Sequence, residues 1–221
     1  MAAFFTSMAA GLEDNRADSL LIMKIRGQII LFAAIMALRA AHADPAVSGQ
    51  PLFNGTNLDG WMPMNGGRFF ATNGVIRLEG GQGWLRTEKE YGDFILTAEW
   101  RGLKTNYNSG VFIRAPLAGQ PWAQDIWQIN TKQTGIGELL AGPSKIIRSA
   151  TPPVPAGVWT TFRIEARGTN LTLAVDDKPV WEFHALIPAL GYIGLQAEGK
   201  PFEFRNLEIE EFNSNTPARP R

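Results

Sequence analysis

Three stretches of the chain carry side chains that can move a proton or grip a hydroxyl. In Phe94–Arg101, alternation puts Phe94, Leu96, Ala98 and Trp100 on one face and Ile95, Thr97, Glu99 and Arg101 on the other. A carboxylate and a guanidinium side by side suit a general base next to a stabiliser of negative charge. The same two residues also make an ordinary exposed ion pair, worth under about 1 kcal/mol. Asn108-Ser109-Gly110 precedes a second run that ends at Arg114. The triplet reads as a tight turn or as a site edge. Arg114 is expected to share a face with Phe112, where its planar fork can hold a sugar. Near the C-terminus, Gly194, Gln196 and Glu198 alternate onto one face, and an amide beside a carboxylate offers both donors and acceptors to hydroxyls.

Other chemistries find no support in the chain. From residue 44 onward there is one histidine, His184, and no His-x-His or His-Glu-x-x-His, so no metal ligand set is identifiable. There is no Gly-x-Ser-x-Gly elbow, no glycine-rich phosphate loop and no calcium-loop spacing. The only dense acidic run, Glu208-Ile209-Glu210-Glu211, reads as the solvated face of a last strand rather than a glycosidase pair. Asp176-Asp177 reads as turn chemistry.

The elements that must position these residues are strands. Short runs of alternating apolar and polar residues recur at Phe94–Arg101, Gly110–Arg114, Thr160–Arg167, Asn170–Val175, Pro179–Phe183, Gly191–Gln196 and Phe202–Ile209. No stretch carries a convincing 3.6-residue period, so the chain reads as an all-β sandwich or jelly roll. The whole chain has 221 residues, no cysteine, seven tryptophans, and 21 basic against 21 acidic residues. No cysteine excludes disulfides, thiolate metal sites and a cysteine nucleophile. Balanced charge argues against a nucleic-acid partner and fits an uncharged ligand. Six of the tryptophans sit in or beside strands and read as core; Trp122, after Gly119-Gln120-Pro121, is the candidate stacking platform for a sugar ring.

The first 43 residues differ in kind. Lys24 and Arg26, the apolar run Ile29–Leu38 and the Ala41-His42-Ala43 end have the layout of a secretory signal peptide over residues 23–43. That run is too short to span a bilayer, which needs about 20 residues. Residues 1–22 carry Glu13, Asp14 and Asp18 and read as an upstream extension, with Met23 as the start. The expected product is exported, to the periplasm or the exterior. It has one domain over residues 44–212 and a flexible tail over 213–221, and no membrane span in its mature form.

Five segments in order resemble the 3-keto-disaccharide hydrolase domain family: Leu52–Trp61 (LFNGTNLDGW), Trp84–Thr87 (WLRT), Tyr91–Arg101 (YGDFILTAEWR), Asn108–Arg114 (NSGVFIR), and Gly191–Gly199 (GYIGLQAEG) running into Phe202–Leu207 (FEFRNL). The resemblance implies a concanavalin-like β-jelly roll of two antiparallel sheets and chemistry on 3-keto-glycosides. It places Glu198 where family members often carry histidine. It also exposes a departure: the family pattern Glu-x-Gln-Ile is matched by Gln128-Ile129, but Ile126 stands where the glutamate belongs, leaving Asp125 or Glu138 as substitutes.

A ketone at C3 makes the C2 proton acidic, so cleavage needs one base, one stabiliser of the enolate and hydroxyl clamps. Glu99 or Glu198 is the expected base, and Arg101 or Arg114 the stabiliser. Asn108, Ser109, Trp122, Gln128 and Gln196 are the expected substrate contacts. Such a site requires Glu99, Arg114, Gln196 and Glu198 to meet in one groove. A lectin-like carbohydrate-binding module without turnover, and a structural envelope protein, are the rival readings; no cofactor is identifiable.

Overall fold

The computed structural model describes residues 49–212, apart from 123, 124, 143, 144 and 149. The expected extension, signal segment and tail lie outside the described residues. Within them there are fifteen strands and no helix. The first five are β1 (Gln50–Pro51), β2 (Trp61–Asn65), β3 (Arg68–Thr72), β4 (Val75–Gly80) and β5 (Gln82–Tyr91). The middle of the chain forms β6 (Phe94–Gly102), β7 (Gly110–Ala115), β8 (Trp127–Asn130), β9 (Leu139–Ala141) and β10 (Lys145–Arg148). The last third forms β11 (Thr160–Arg167), β12 (Asn170–Val175), β13 (Lys178–Phe183), β14 (Gly191–Glu198) and β15 (Phe202–Glu211).

These strands make two antiparallel sheets. Sheet I runs β13-β12-β11-β6-β15-β4-β3, with β1 also on β15; sheet II runs β10-β9-β8-β7-β14-β5-β2. The result is the expected jelly-roll sandwich. Alternate residues of both sheets fill the space between them: Phe94, Leu96, Ala98 and Trp100 from β6 meet Val111 and Ile113 from β7 and Ile193, Leu195 and Ala197 from β14. Trp100 stacks on Phe202 at 5.6 Å and meets Phe162 edge-on at 5.2 Å. This aromatic centre supplies the cohesion that a cysteine-free domain cannot take from disulfides.

All seven strand expectations are met to within two residues at either end. The Asp176-Asp177 turn has both residues in the left-handed region, φ 47° and 62°, as a two-residue type I′ hairpin needs. Among the strands not anticipated, β4 and β5 lie where glycine breaks the pattern. Between β4 in sheet I and β5 in sheet II the chain passes Gly80, Gly81 and Gly83 at φ 152°, 90° and 147°. A Cβ on Gly81 would lie 2.0 Å from the Gly66 carbonyl oxygen, so only glycine carries the chain across there.

One irregularity decides where a candidate residue points. Between Tyr192 and Gly194 of β14, the partners on β7 step from Ala115 to Phe112, so β7 holds one extra residue. Arg114 is that bulge, at φ 48°. Ala115 therefore joins Phe112 on the outer side, and Arg114 turns away from it. Fully buried, Arg114 donates through Nε to the Gly92 carbonyl, through Nη1 to those of Gly168 and Pro188, and through Nη2 to Asp93 at 2.9 Å.

Candidate functional site

The expected groove of Glu99, Arg114, Gln196 and Glu198 does not form. Glu99 and Arg101 lie on the outer face of sheet I, whereas Gln196 and Glu198 lie on the outer face of sheet II, with the core between. On sheet I the charges satisfy one another. Glu99 accepts from Arg205 at 2.8 Å and Asn206 at 2.7 Å, while Glu203 accepts from Arg77 at 2.7 Å and Arg101 at 2.8 Å. Burial alone would raise the Glu99 pKa, but the Asn206 and Arg205 hydrogen bonds and the Arg205 charge outweigh it and hold the carboxyl below its usual range. An ionised carboxylate locked in this way is a weak base. Trp159 lies under the Arg101 and Arg205 guanidiniums, at 4.5 and 4.0 Å. Arg114, expected on the Phe112 face, is instead an anchor at the end of the sandwich, because the bulge re-aims it.

Sheet II brings the other candidates together. Its inward residues belong to the core, so Trp84, Phe112, Gln128, Gly194, Gln196 and Glu198 face outward. Gln128 Nε2 donates to Gln196 Oε1 at 2.9 Å. The amide passes over Gly110, where a Cβ would lie 2.3 Å from Gln128 Nε2. Likewise a Cβ at Gly194 would lie 2.5 Å from the Trp84 ring. Two glycines on neighbouring strands thus let a glutamine and a tryptophan lie flat across the sheet. Gln128 and Gln196 are 3% and 2% exposed and form the floor of this face. Ser109 is not available to a ligand: it is fully buried, and its hydroxyl donates to the Gln196 carbonyl. Trp122 is half-buried and packs on the Trp84–Phe112–Ile126 cluster of the same face.

Gly110→Ala is expected to push Gln128 out of place and lower stability by about 1–3 kcal/mol, the usual penalty of overpacking. Thermal unfolding measures it. The double variant Gly110→Ala/Gln128→Ala should recover part of the loss, because the clash then has no partner.

Glu198 stands one row beyond the glutamine pair. Its Oε2 accepts from Asn108 Nδ2 at 2.6 Å. Burial pushes its carboxyl above the ordinary range; the Lys132 charge and the Asn108 hydrogen bond pull it back without cancelling the effect. Asn108 Oδ1 is buried without a partner among the described residues, a cost of about 1–3 kcal/mol. Holding this amide against Glu198 therefore runs against its own solvation.

Lys132 belongs to this row and was not among the sequence candidates. Thr131 N–H donates to the Ser109 carbonyl and Gln133 N–H to that of Tyr107, which continues the β7–β8 register beyond the strands and sets Lys132 opposite Asn108. Glu198 in turn opposes Gln82 on β5. The row therefore reads Gln82, Glu198, Asn108, Lys132 across four adjacent chain segments. Reading Gln128-Ile129-Asn130-Thr131-Lys132 with a period of two would have found it.

Glu138, a candidate substitute for the missing glutamate, accepts from Asn130 Nδ2 at 2.9 Å. Asp125 is exposed and precedes β8. It lines a second hollow, an open cleft of about 700 Å³, with Ile126, Trp127, Ala141, Gly142, Ile187 and Pro188. That cleft holds one carboxylate among apolar walls. Glu198, Asn108 and Lys132 lie instead on the outer face of sheet II. Among the described residues no three His, Asp or Glu side chains converge as a metal site, and no helix is long and apolar enough to cross a membrane.

Residues 48–210 match the sequence profile of 3-keto-alpha-glucoside-1,2-lyase-like domains. The chain belongs to that family. No curated protein matches it. Solved structures with the same fold include a protein assigned as a glycosyl hydrolase from Parabacteroides distasonis, with 18% identity, TM-score 0.63, and 76% of this chain and 95% of that one covered. A carbohydrate-binding module, CBM66, from Bacillus subtilis has 17% identity and TM-score 0.60, covering 72% of this chain and 98% of that one. A Bacillus subtilis protein of unknown function with a galectin-like fold has 12% identity and TM-score 0.60, covering 74% and 97%.

On the site face of this 3-keto-alpha-glucoside-1,2-lyase-like domain stand Glu198 and Ile126, the two positions at which the sequence resemblance implied a histidine and a glutamate. Ile126, at the glutamate position two residues before Gln128, is 2% exposed and packs on Trp84 and Phe112. An aliphatic side chain there extends the apolar part of the face and removes a carboxylate from it.

Proposed function

We propose that this domain cleaves 3-keto-glycosides on the outer face of sheet II, with Glu198 as the base. The observation that carries the reading is Glu198 itself. It is a half-buried carboxyl with its pKa raised, held by Asn108 beside the Gln196–Gln128 floor, in a member of a lyase-like family. A raised carboxyl pKa brings a base closer to the operating pH. Glu198 takes the C2 proton; the C2–H electron pair forms the enolate of the C3 ketone. The enolate collapses with cleavage of the C1–O bond, and Glu198 returns its proton to the departing oxygen. Water then adds at C1, losing a proton to Glu198 as C2 is reprotonated. One carboxylate closes the whole cycle, so no second acid is needed at Ile126.

Asn108 orients the carboxylate, Gln128 and Gln196 form a polar floor, and half-buried Trp122, packed over the buried Trp84 and Phe112, offers apolar surface to a sugar ring. The sandwich acts after export, as the signal-like segment 23–43 implies. Incubating the purified protein with 3-keto-trehalose or a 3-keto-glucoside should release free sugar. No release, with or without added divalent metal ions, counts against the reading.

The rival is a carbohydrate-binding module without turnover. It is favoured by Ile126, an aliphatic side chain packed with Trp84 and Phe112 where the resemblance implied a glutamate. A binder retains glycan and shows no turnover for Glu198→Gln to remove.

A further inference from the structure

We propose that Lys132 is the second catalytic residue of the Glu198 site: its ammonium takes up the negative charge that builds on the ketone oxygen as Glu198 removes the neighbouring proton. The inference rests on the reading given under Proposed function and supplies the stabiliser that the reading still lacks.

The arginines expected as stabilisers, and Arg86 on the same sheet, are committed elsewhere. Arg101 is bound to Glu203 on sheet I, and Arg114 is spent on three carbonyls and Asp93. Arg86 faces outward on sheet II, but its guanidinium stacks on Tyr192 at 4.4 Å and donates to the Thr87 carbonyl. Lys132 is exposed and forms no ion pair within 4 Å among the described residues. Its place is fixed by backbone hydrogen bonds that extend the β7–β8 ladder, so it stands next to Asn108 on the same face as Glu198.

Neighbouring strands lie about 4.8 Å apart, which sets the Glu198 and Lys132 backbones about 10 Å apart with Asn108 between them. Both side chains are long enough to lean in over Asn108. A carboxylate and an ammonium flanking Asn108 can address two adjacent sugar carbons, one losing its proton and the next carrying the ketone. A lysine there also acts as a hydrogen-bond donor to the enolate oxygen, with no proton transferred and no change in the balance of the reaction.

Around Glu198 the other packed elements contribute little charge. β5 offers neutral Gln82 and the segment before β7 offers neutral Asn108. Lys200 follows two residues on, exposed in the next turn, and Arg68 of β3 approaches Gly80 across that turn. Lys132 is the charge that acts on the carboxyl.

The test is steady-state kinetics of the full chain on 3-keto-trehalose, for wild type, Lys132→Met, Lys132→Arg and Glu198→Gln. Loss of one oxyanion donor lowers turnover by about 10²–10³-fold. Lys132→Met should lose kcat on that scale with KM nearly unchanged, and Lys132→Arg should restore most of it. The acid limb of kcat/KM should move to higher pH in Lys132→Met, because the cation that held the Glu198 pKa down is gone. A Lys132→Met enzyme with wild-type kcat, alongside a dead Glu198→Gln, overturns the role of Lys132 and leaves Glu198 standing. Equal losses in Met and Arg variants with an unmoved acid limb mean a merely structural lysine and also overturn it. Absence of turnover in the wild type overturns the function beneath it and the inference together.

Discussion

Glu198→Gln is expected to lower turnover of a 3-keto-glycoside by about 10³-fold while leaving the fold intact. Removing a positioned general base costs about 10²–10⁴-fold, and here the same carboxylate handles the proton in every step. Glutamine keeps the size and can still accept from Asn108, so binding should survive. The stability effect has a definite sign. Burial raises the Glu198 pKa above its unfolded value, with Lys132 and Asn108 opposing. The folded state therefore prefers the protonated form. Its stabilising contribution is present below the unfolded pKa and is lost as pH rises through the folded one. At neutral pH the ionised carboxylate costs stability, and glutamine removes that cost. Thermal unfolding at pH 7 should show Glu198→Gln at or above the wild-type midpoint, with the difference shrinking at acid pH. In the wild type, kcat/KM should rise with pH through a limb above the ordinary carboxylate range. Wild-type turnover in Glu198→Gln would move the base elsewhere.

The sandwich was legible in the chain because half-buried strands leave a period of two. The β11–β12 hairpin and β6 stand out since each buries one face and wets the other. The strands before residue 91 were harder to read. There, Gly80, Gly81 and Gly83 look like loop, yet their positive φ values carry one continuous path from sheet I into sheet II. Glycine signals both a turn and a close crossing, and only the distance to Gly66 tells them apart.

The site was legible by halves. Alternation placed Gln196 and Glu198 together, but it cannot say which sheet a strand joins. Glu99 and Glu198 each show the same outward face of a strand; the β-order put them on opposite sides of the core. Arg114 failed for a different reason. A period of two holds only while the ladder is regular, and one extra residue sends the next side chain the other way. Nothing in Val111-Phe112-Ile113-Arg114-Ala115 announces that bulge. Its counterpart is Gly191, where a Cβ would lie 2.4 Å from the Arg114 backbone. Lys132 was missed because the pattern was followed only as far as the strand, whereas the hydrogen-bond register runs past its end.

That bulge carries the other large effect. Arg114→Met should destabilise the domain by about 3–5 kcal/mol, at the high end for one substitution, because it removes all the hydrogen bonds of a fully buried guanidinium at once. Methionine fills similar space, so little of the loss comes from a cavity. It comes from polar groups left behind. The carbonyls of Gly92, Gly168 and Pro188 lose a charged donor, and each such hydrogen bond is worth about 1.5–3 kcal/mol before water replaces it at the exposed Gly168 and Pro188. Asp93 is spared part of this, since its side chain is 39% exposed and keeps the Gly168 N–H. These three carbonyls and Asp93 belong to the turns after β5, β11 and β13, drawn from both sheets, so Arg114 ties the two layers at one end of the sandwich. For a domain of this size each kcal/mol moves the midpoint by about 2–4 °C, which predicts a fall of about 6–20 °C. Arg114→Lys should fall between, because an ammonium keeps the charge beside Asp93 but cannot span three separate acceptors with a rigid fork. A midpoint within 2 °C of wild type for Arg114→Met would show that water replaces the guanidinium at little cost. The bulge would then owe its place to Gly191 and the strand register rather than to the arginine it re-aims.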